Sequence, residues 1–162
     1  TGCRALACEI YQHLAASDRT TERLLPNIAA GLGYLGEYSG ALGVCLDLTR
    51  RSPELPEAHF GVAFYLRRLG QPPEAALPYI ARAHELAPAV ALYRISLATL
   101  LDHGGRREEA YELLRGVDLD EVTCRCCLRR MTTIFLAAGD ADRGESCRRR
   151  SIDGDGDGAD DC

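Results

Sequence analysis

A chain of 162 residues with 46% apolar content can bury a core as one domain or as a short array of stacked units, and 6% aromatics without Trp leave no aromatic-rich face for carbohydrate or nucleic acid. Five of the 24 acidic residues (Asp153, Asp155, Asp157, Asp160, Asp161) fall in the last ten positions, so residues 1–152 are neutral and the tail carries the net charge of -5. All 19 basic residues are Arg; the balance points to neither nucleic acid nor membrane, and there is no run of about 18 apolar residues to span a bilayer.

In chain order, Thr1-Gly2-Cys3 has the form of the close of a bacterial lipoprotein signal, a small-residue pair before a lipid-bearing Cys; the alternative is an arbitrary chain start. Leu6, Ile10 and Leu14 lie at helical spacing, so residues 3–16 are expected to form an amphipathic helix. The next features recur. Gly36, Gly70, Gly105 and Gly139 stand 34, 35 and 34 residues apart, and five residues after each comes a small residue: Ala41, Ala75, Ala110 and Gly144.

Before each Gly runs an apolar stripe at helical spacing: Ile28, Ala29, Leu32; Val62, Ala63, Leu66; Leu97, Ala98, Leu101; Met131, Thr132, Phe135. After each Gly, polar residues open a second helix, and the first two of these helices are expected to stop near Pro53 and Pro88, because Pro cannot continue a helix. The Gly supplies the left-handed residue on which a helix closes and the chain reverses. The small residue lets the two helices approach. Counting back 34 from Ala41 reaches Ala7, so residues 3–16 read as the second helix of a unit whose first helix is absent, either cut away or dispensed with in a cap.

These residues resemble the tetratricopeptide repeat (TPR) family. The stretch from Pro56 to Pro88, with Ala75-x-x-x-Tyr79 and a closing Pro, is the best match. The segment from Asn27 to Pro53 follows closely; the third unit keeps Leu97-Ala98-x-x-Leu101 and Ala110-x-x-x-Leu114 without a closing Pro, and the fourth keeps Gly139 and its stripe. Leu25, His59, Arg94 and Leu128 stand where the family often has Trp, and the second unit holds an extra residue placed near Pro78, which is expected to bend its helix. The resemblance implies an all-α, right-handed superhelical solenoid of antiparallel helix pairs. Its expected parts are 1–21 as a partial or capping repeat, 22–55, 56–90 and 91–122 as repeats 1 to 3, 123–150 as a divergent repeat 4, and 151–162 as an acidic tail.

The resemblance further implies a groove lined by the first helix of each pair, with Asn27, Tyr34, Phe60, Phe64, Arg67, Arg68, Thr99, Asp102 and His103 as candidates to face it. Asn27, Arg67 and Arg68 resemble part of the clamp by which some members grip the C-terminal carboxylates of heat-shock chaperones, although the full set of Lys and Asn positions is missing. Arg67-Arg68 is equally well read as a solvated helix end that suits the dipole. The leading expectation is a non-catalytic scaffold that takes a protein or peptide in this groove.

The tail Asp153-Gly154-Asp155-Gly156-Asp157-Gly158-Ala159-Asp160-Asp161 places carboxylates at alternate positions, as calcium loops of the EF-hand or thrombospondin type 3 kind do; Asp153, Asp155, Asp157 and Asp161 are the candidate Ca²⁺ ligands, though the chain ends before the bidentate acid of an EF-hand loop. A disordered acidic tail is the alternative. Without metal, the tail is expected to fold back on Arg125, Arg129, Arg130, Arg143, Arg148, Arg149 and Arg150, for which an anionic ligand is the rival. A second functional expectation is therefore the structural part of a secreted or cell-surface calcium-binding protein.

Eight Cys (3, 8, 45, 124, 126, 127, 147, 162) lean toward an oxidising compartment outside the cytoplasm. Cys124, Cys126 and Cys127 invite a thiol-metal or redox reading, the third functional expectation, but a Zn²⁺ site needs about four ligands and only Cys147 and Cys162 could complete it. A disulfide between one of the three and Cys147 is the expected arrangement. No Ser-His-Asp set, phosphate loop or paired acid site stands out, so no enzyme activity and no required cofactor are expected.

Overall fold

The computed structural model describes residues 2–17 and 21–153. Among these are α1 (Gly2–Ala16), α2 (Leu25–Tyr34), α3 (Tyr38–Arg51), α4 (Pro56–Arg68), α5 (Pro73–Leu86), α6 (Ala91–His103), α7 (Arg107–Leu114), a 3-10 turn (Leu119–Glu121), α8 (Arg125–Ala137) and α9 (Ala141–Asp153), with no strand. The chain divides into two compact units, Thr1–Leu86 and Ala87–Cys162. The first holds α1 and the pairs α2–α3 and α4–α5; the second holds α6–α7 and α8–α9. No helix among the described residues is long and apolar enough to cross a membrane.

One turn is built four times. Gly36, Gly70, Gly105 and Gly139 have φ of 78°, 70°, 79° and 83°, the left-handed region in which a Cβ is strained. Each Gly N–H bonds back to the carbonyl three residues earlier (Gly33, Arg67, Asp102 and Leu136, 2.9–3.1 Å), and the next N–H bonds to the carbonyl five residues earlier (Leu32, Leu66, Leu101 and Phe135, 2.9–3.0 Å). This is the Schellman closure, which occupies carbonyls that a helix end leaves without partners.

In three of the pairs the second helix starts two residues after the Gly, and its first bond runs from the small residue expected there: Ala41 to Glu37, Ala110 to Arg106 and Gly144 to Asp140. The second pair differs. Helix α5 starts three residues after Gly70, and the wholly buried small residue is Ala76, not Ala75. The extra residue thus sits in the Gly70–Pro73 turn rather than near Pro78, which lies exposed within α5. From Ala76 onward Ile80 and Ala83 keep to the buried side.

In the first unit Leu25, Ile28, Ala29, Leu32, Val44, Cys45, Leu48, Val62 and Tyr65 form the core. Tyr65 turns its hydroxyl inward to donate to the Ala29 carbonyl at 2.8 Å. Burial, aided by Cys45 and Tyr38, pushes the Tyr65 phenol up to about 12. Cys45 packs where α4 lacks a side chain: a Cβ built at Gly61 would lie 2.6 Å from its Sγ. Burial alone pushes the Cys45 thiol up to about 12.

Helix α1 departs from expectation. Leu6, Ile10 and Leu14 are exposed (58%, 50% and 40%), and Cys8, Tyr11 and Ala15 do the packing instead. Tyr11 lies so close to Gly31 that any Cβ there would collide with its ring. The apolar stripe lies on one face of the helix, and the residues that pack against the first unit's core lie on another.

In the second unit α6 is buried from Ile95 to Leu101 without a break. Met131, Phe135 and Cys147 close the α8–α9 pair. Tyr111 of α7 donates to the Asp140 carboxylate at 3.1 Å and meets the edge of Phe135, with ring centroids 6.2 Å apart.

The turn argument predicts opposite signs for two Gly→Ala changes. Gly70→Ala, strained but with nothing within 4 Å of the new Cβ, is expected to lower stability by about 1–2 kcal/mol. Gly43→Ala, in open space inside α3, is expected to raise it by roughly 0.5–1 kcal/mol. Urea unfolding of both checks this; changes of the same sign would remove the turn from the account.

A pH dependence follows from Cys45. Its folded pKa lies above the unfolded one, so its contribution is complete below pH 9.0 and is lost as pH rises toward about 12. Cys45→Ala should flatten the fall in unfolding free energy across that window; an unchanged slope would assign the alkaline loss to other groups.

Candidate functional site

In the first unit four of the expected candidates, Phe60, Phe64, Arg67 and Arg68, lie on α4, and Asn27 and Tyr34 lie on α2. Phe60, Phe64 and Arg68 follow at a spacing of four, which sets them on one side of the helix. The Phe60 and Phe64 rings are 6.2 Å apart. The Arg68 guanidinium lies over the Phe64 ring at 5.1 Å and over the Tyr38 ring at 5.8 Å. Tyr38, at the start of α3, stacks in turn on Tyr65 at 6.4 Å. The result is a cation within reach of two aromatic rings, where both dispersion and the ring quadrupole favour it.

Asn27 is exposed on α2, and Tyr34 at its end is 93% exposed. Arg67 is half-buried. Tyr38 was missed as a participant, because its aromatic partners lie on the next pair and only the fold brings them together. None of these residues lines the open pocket of about 400 Å³ between α1, α2 and α3, which is bounded by Ala15, Leu32, Gly43, Val44 and Asp47.

In the second unit the candidates separate. Thr99 is 5% exposed and donates its hydroxyl back to the Ile95 carbonyl at 2.7 Å, which makes it a core residue. Asp102 is half-buried with Arg107 Nε 3.5 Å from its carboxylate, and His103 is exposed at the end of α6.

The three clustered cysteines do come together. Their sulfurs lie within 4.8 Å of one another, and Cys124 Sγ is 3.3 Å from Cys126 Sγ. Cys124 also caps α8, its sulfur accepting the Cys127 N–H at 3.4 Å. Burial pushes the Cys127 thiol up to about 12. Cys126 is in disulfide form, while Cys124, Cys127 and Cys147 are thiols. The disulfide expected to Cys147 is therefore not formed: that side chain is wholly buried and serves as a core residue of α9, with burial raising its pKa. Of the expected calcium ligands, Asp153 ends α9, while Asp155, Asp157 and Asp161 lie outside the described residues.

No family model and no curated protein matches the chain. Solved structures do. MamA is matched at 14% identity with a TM-score of 0.72, over 93% of this chain and 88% of that one. A segment of MamA from Desulfovibrio magneticus RS-1 is matched at 20% identity and 0.71, over 93% and 85%. YrrB, described as a TPR protein with an unusual peptide-binding site, is matched at 18% and 0.68, over 94% and 78%. The fold is that of a tetratricopeptide repeat protein.

Within this TPR fold the residues in place of the family's Trp have a structural use. His59 Nε2 bonds the Pro53 carbonyl at 2.8 Å, and Arg94 Nη2 donates to the Pro88 carbonyl at 3.1 Å, six positions upstream in each case. The third repeat has Val122 in place of the closing Pro and Leu128 six positions on, which offers no donor. There Arg150 of α9 reaches back to the carbonyls of Leu119 and Val122. Arg143 likewise donates to the carbonyls of Arg115 and Val117, the latter at 2.6 Å, with its guanidinium 4.9 Å from the Phe135 ring centroid. Arg125 donates to the Ser151 carbonyl at 3.0 Å. Three Arg of the cluster, Arg125, Arg143 and Arg150, thus tie down the backbone.

Arg143→Ala is expected to cost about 1–3 kcal/mol, since charged donors to part-buried carbonyls are lost. Hydrogen exchange should speed up locally at residues 115–122. Protection left unchanged there would mean that the segment holds itself.

Proposed function

We propose that this chain is a non-catalytic scaffold that binds a protein or peptide, and that the first unit makes the contact through Phe60, Phe64, Arg68 and Tyr38, with the exposed Asn27 and Tyr34 of α2 as further candidates. The observation that carries this reading is the Arg68 guanidinium 5.1 Å from the Phe64 ring centroid and 5.8 Å from that of Tyr38. Such a platform offers apolar area and a cation at one place, which suits a segment with an apolar side chain beside a carboxylate. Aromatic and Arg side chains of this kind dominate binding energy where they occur at interfaces. The TPR fold supports it further, and a peptide-binding site is described for YrrB.

The test is selection from a random peptide library on the purified chain, followed by titration of enriched peptides by fluorescence polarisation. Phe64→Ala and Arg68→Gln should each weaken binding about tenfold, roughly 1.4 kcal/mol, while Arg106→Gln in the second unit should leave it unchanged. Circular dichroism of each variant guards against loss of fold. Equal affinity in all three variants would move the binding site elsewhere.

A further inference from the structure

The binding surface proposed above makes no use of the sulfur cluster at the start of α8. Cys124, Cys126 and Cys127 set three sulfurs within 4.8 Å of one another, with Cys126 and Cys127 buried and Cys124 half-exposed. We propose that, once the disulfide at Cys126 is opened, these three thiolates bind one soft d10 cation, Zn(II) or Cu(I), and leave a further coordination position open on the side of Cys124.

Four features of the site support this. Metal–sulfur bonds are about 2.3 Å, so thiolates around one ion stand roughly 4 Å apart. That spacing lies between the 3.3 Å contact of Cys124 with Cys126 and the 4.8 Å limit of the group. The donor set is sulfur alone, which selects soft ions over Ca²⁺ or Mg²⁺. Cys124 Sγ already accepts the Cys127 N–H at the positive end of α8, which favours negative charge on sulfur. Burial raises the Cys127 thiol, and Arg130 acts against it, so a compensating positive charge stands near the three sulfurs.

Cys147 is not a member of the cluster, so among the described residues the site has three sulfurs. Opening the disulfide at Cys126 takes two electrons and two protons and yields two thiols, the electrons coming from a phosphine or dithiol. Cation binding then releases the three thiol protons to water and changes no oxidation state.

The test uses the whole chain, reduced with a phosphine under anaerobic conditions and freed of excess reductant. Zn(II) is titrated against a chromophoric chelator, and Cu(I) against a bicinchoninate competitor. One ion per chain is expected, with affinity lower by at least about tenfold in Cys124→Ser and in Cys126→Ser and unchanged in Cys3→Ser. Should the Ser variants lose their fold, the thiolate-to-metal absorption of the Cd(II) form of the unaltered chain counts the sulfurs directly, three being expected. No stoichiometric ion in the reduced chain, equal affinity in Cys124→Ser, or fewer than three sulfurs on Cd(II) would each overturn the proposal.

Discussion

Everything in this molecule hangs on a backbone angle. A helix that is to be followed within two or three residues by an antiparallel partner must end on a residue with positive φ, and an L side chain resists that conformation by about 1–2 kcal/mol. Four Gly residues meet the requirement, and the six-residue hydrogen-bonded closure around each is the same to within 0.2 Å in its bond lengths. Once the reversal is fixed, the small residue that follows decides how near the helices come. At Gly144, Leu136 leaves no room for a Cβ.

That constraint is also why so much of the fold could be read in advance. The Gly positions and their upstream stripes are local necessities, visible as spacing alone, and each Gly adopts the expected conformation. Misreadings arose where the outcome depended on non-local geometry. The stripe Leu6, Ile10, Leu14 marks a face of α1, yet periodicity does not say which face meets a neighbour, and Tyr11 against Gly31 decided it. Thr99 lay on the expected helix, but α6 is buried along most of its length, and a buried hydroxyl satisfies itself on its own backbone. Cys147 follows the same logic, being a small apolar filler before it is a thiol. Tyr38 could not be found from sequence, since the ring stack that involves it joins α3 to α4.

The Arg residues tell a second story about unsatisfied groups. Where one repeat passes to the next, the carbonyl of the closing position needs a donor. His59 and Arg94 supply it from the following helix at Pro53 and Pro88. At Val122 the local position holds Leu128, and Arg150 arrives from a different helix to do the same work. A guanidinium can serve two carbonyls and still lie against a ring, as Arg143 does with Val117 and Phe135. Three members of a cluster that suggests an anion site by composition, Arg125, Arg143 and Arg150, thus hold the chain by its backbone, and Arg148 and Arg149 pair with Glu145.

The extra residue after Gly70 bears on how such chains can change length. One residue added inside a helix would rotate every later side chain by about 100° and carry Ile80 and Ala83 out of the core. Added in the turn, it delays the helix start and leaves the buried face intact. The loops that reverse the chain therefore act as slack in an otherwise rigid register. They are the natural seams at which a repeat array can be lengthened, spliced with a neighbour's segment or fitted with an inserted module, with no side chain of the core obliged to move.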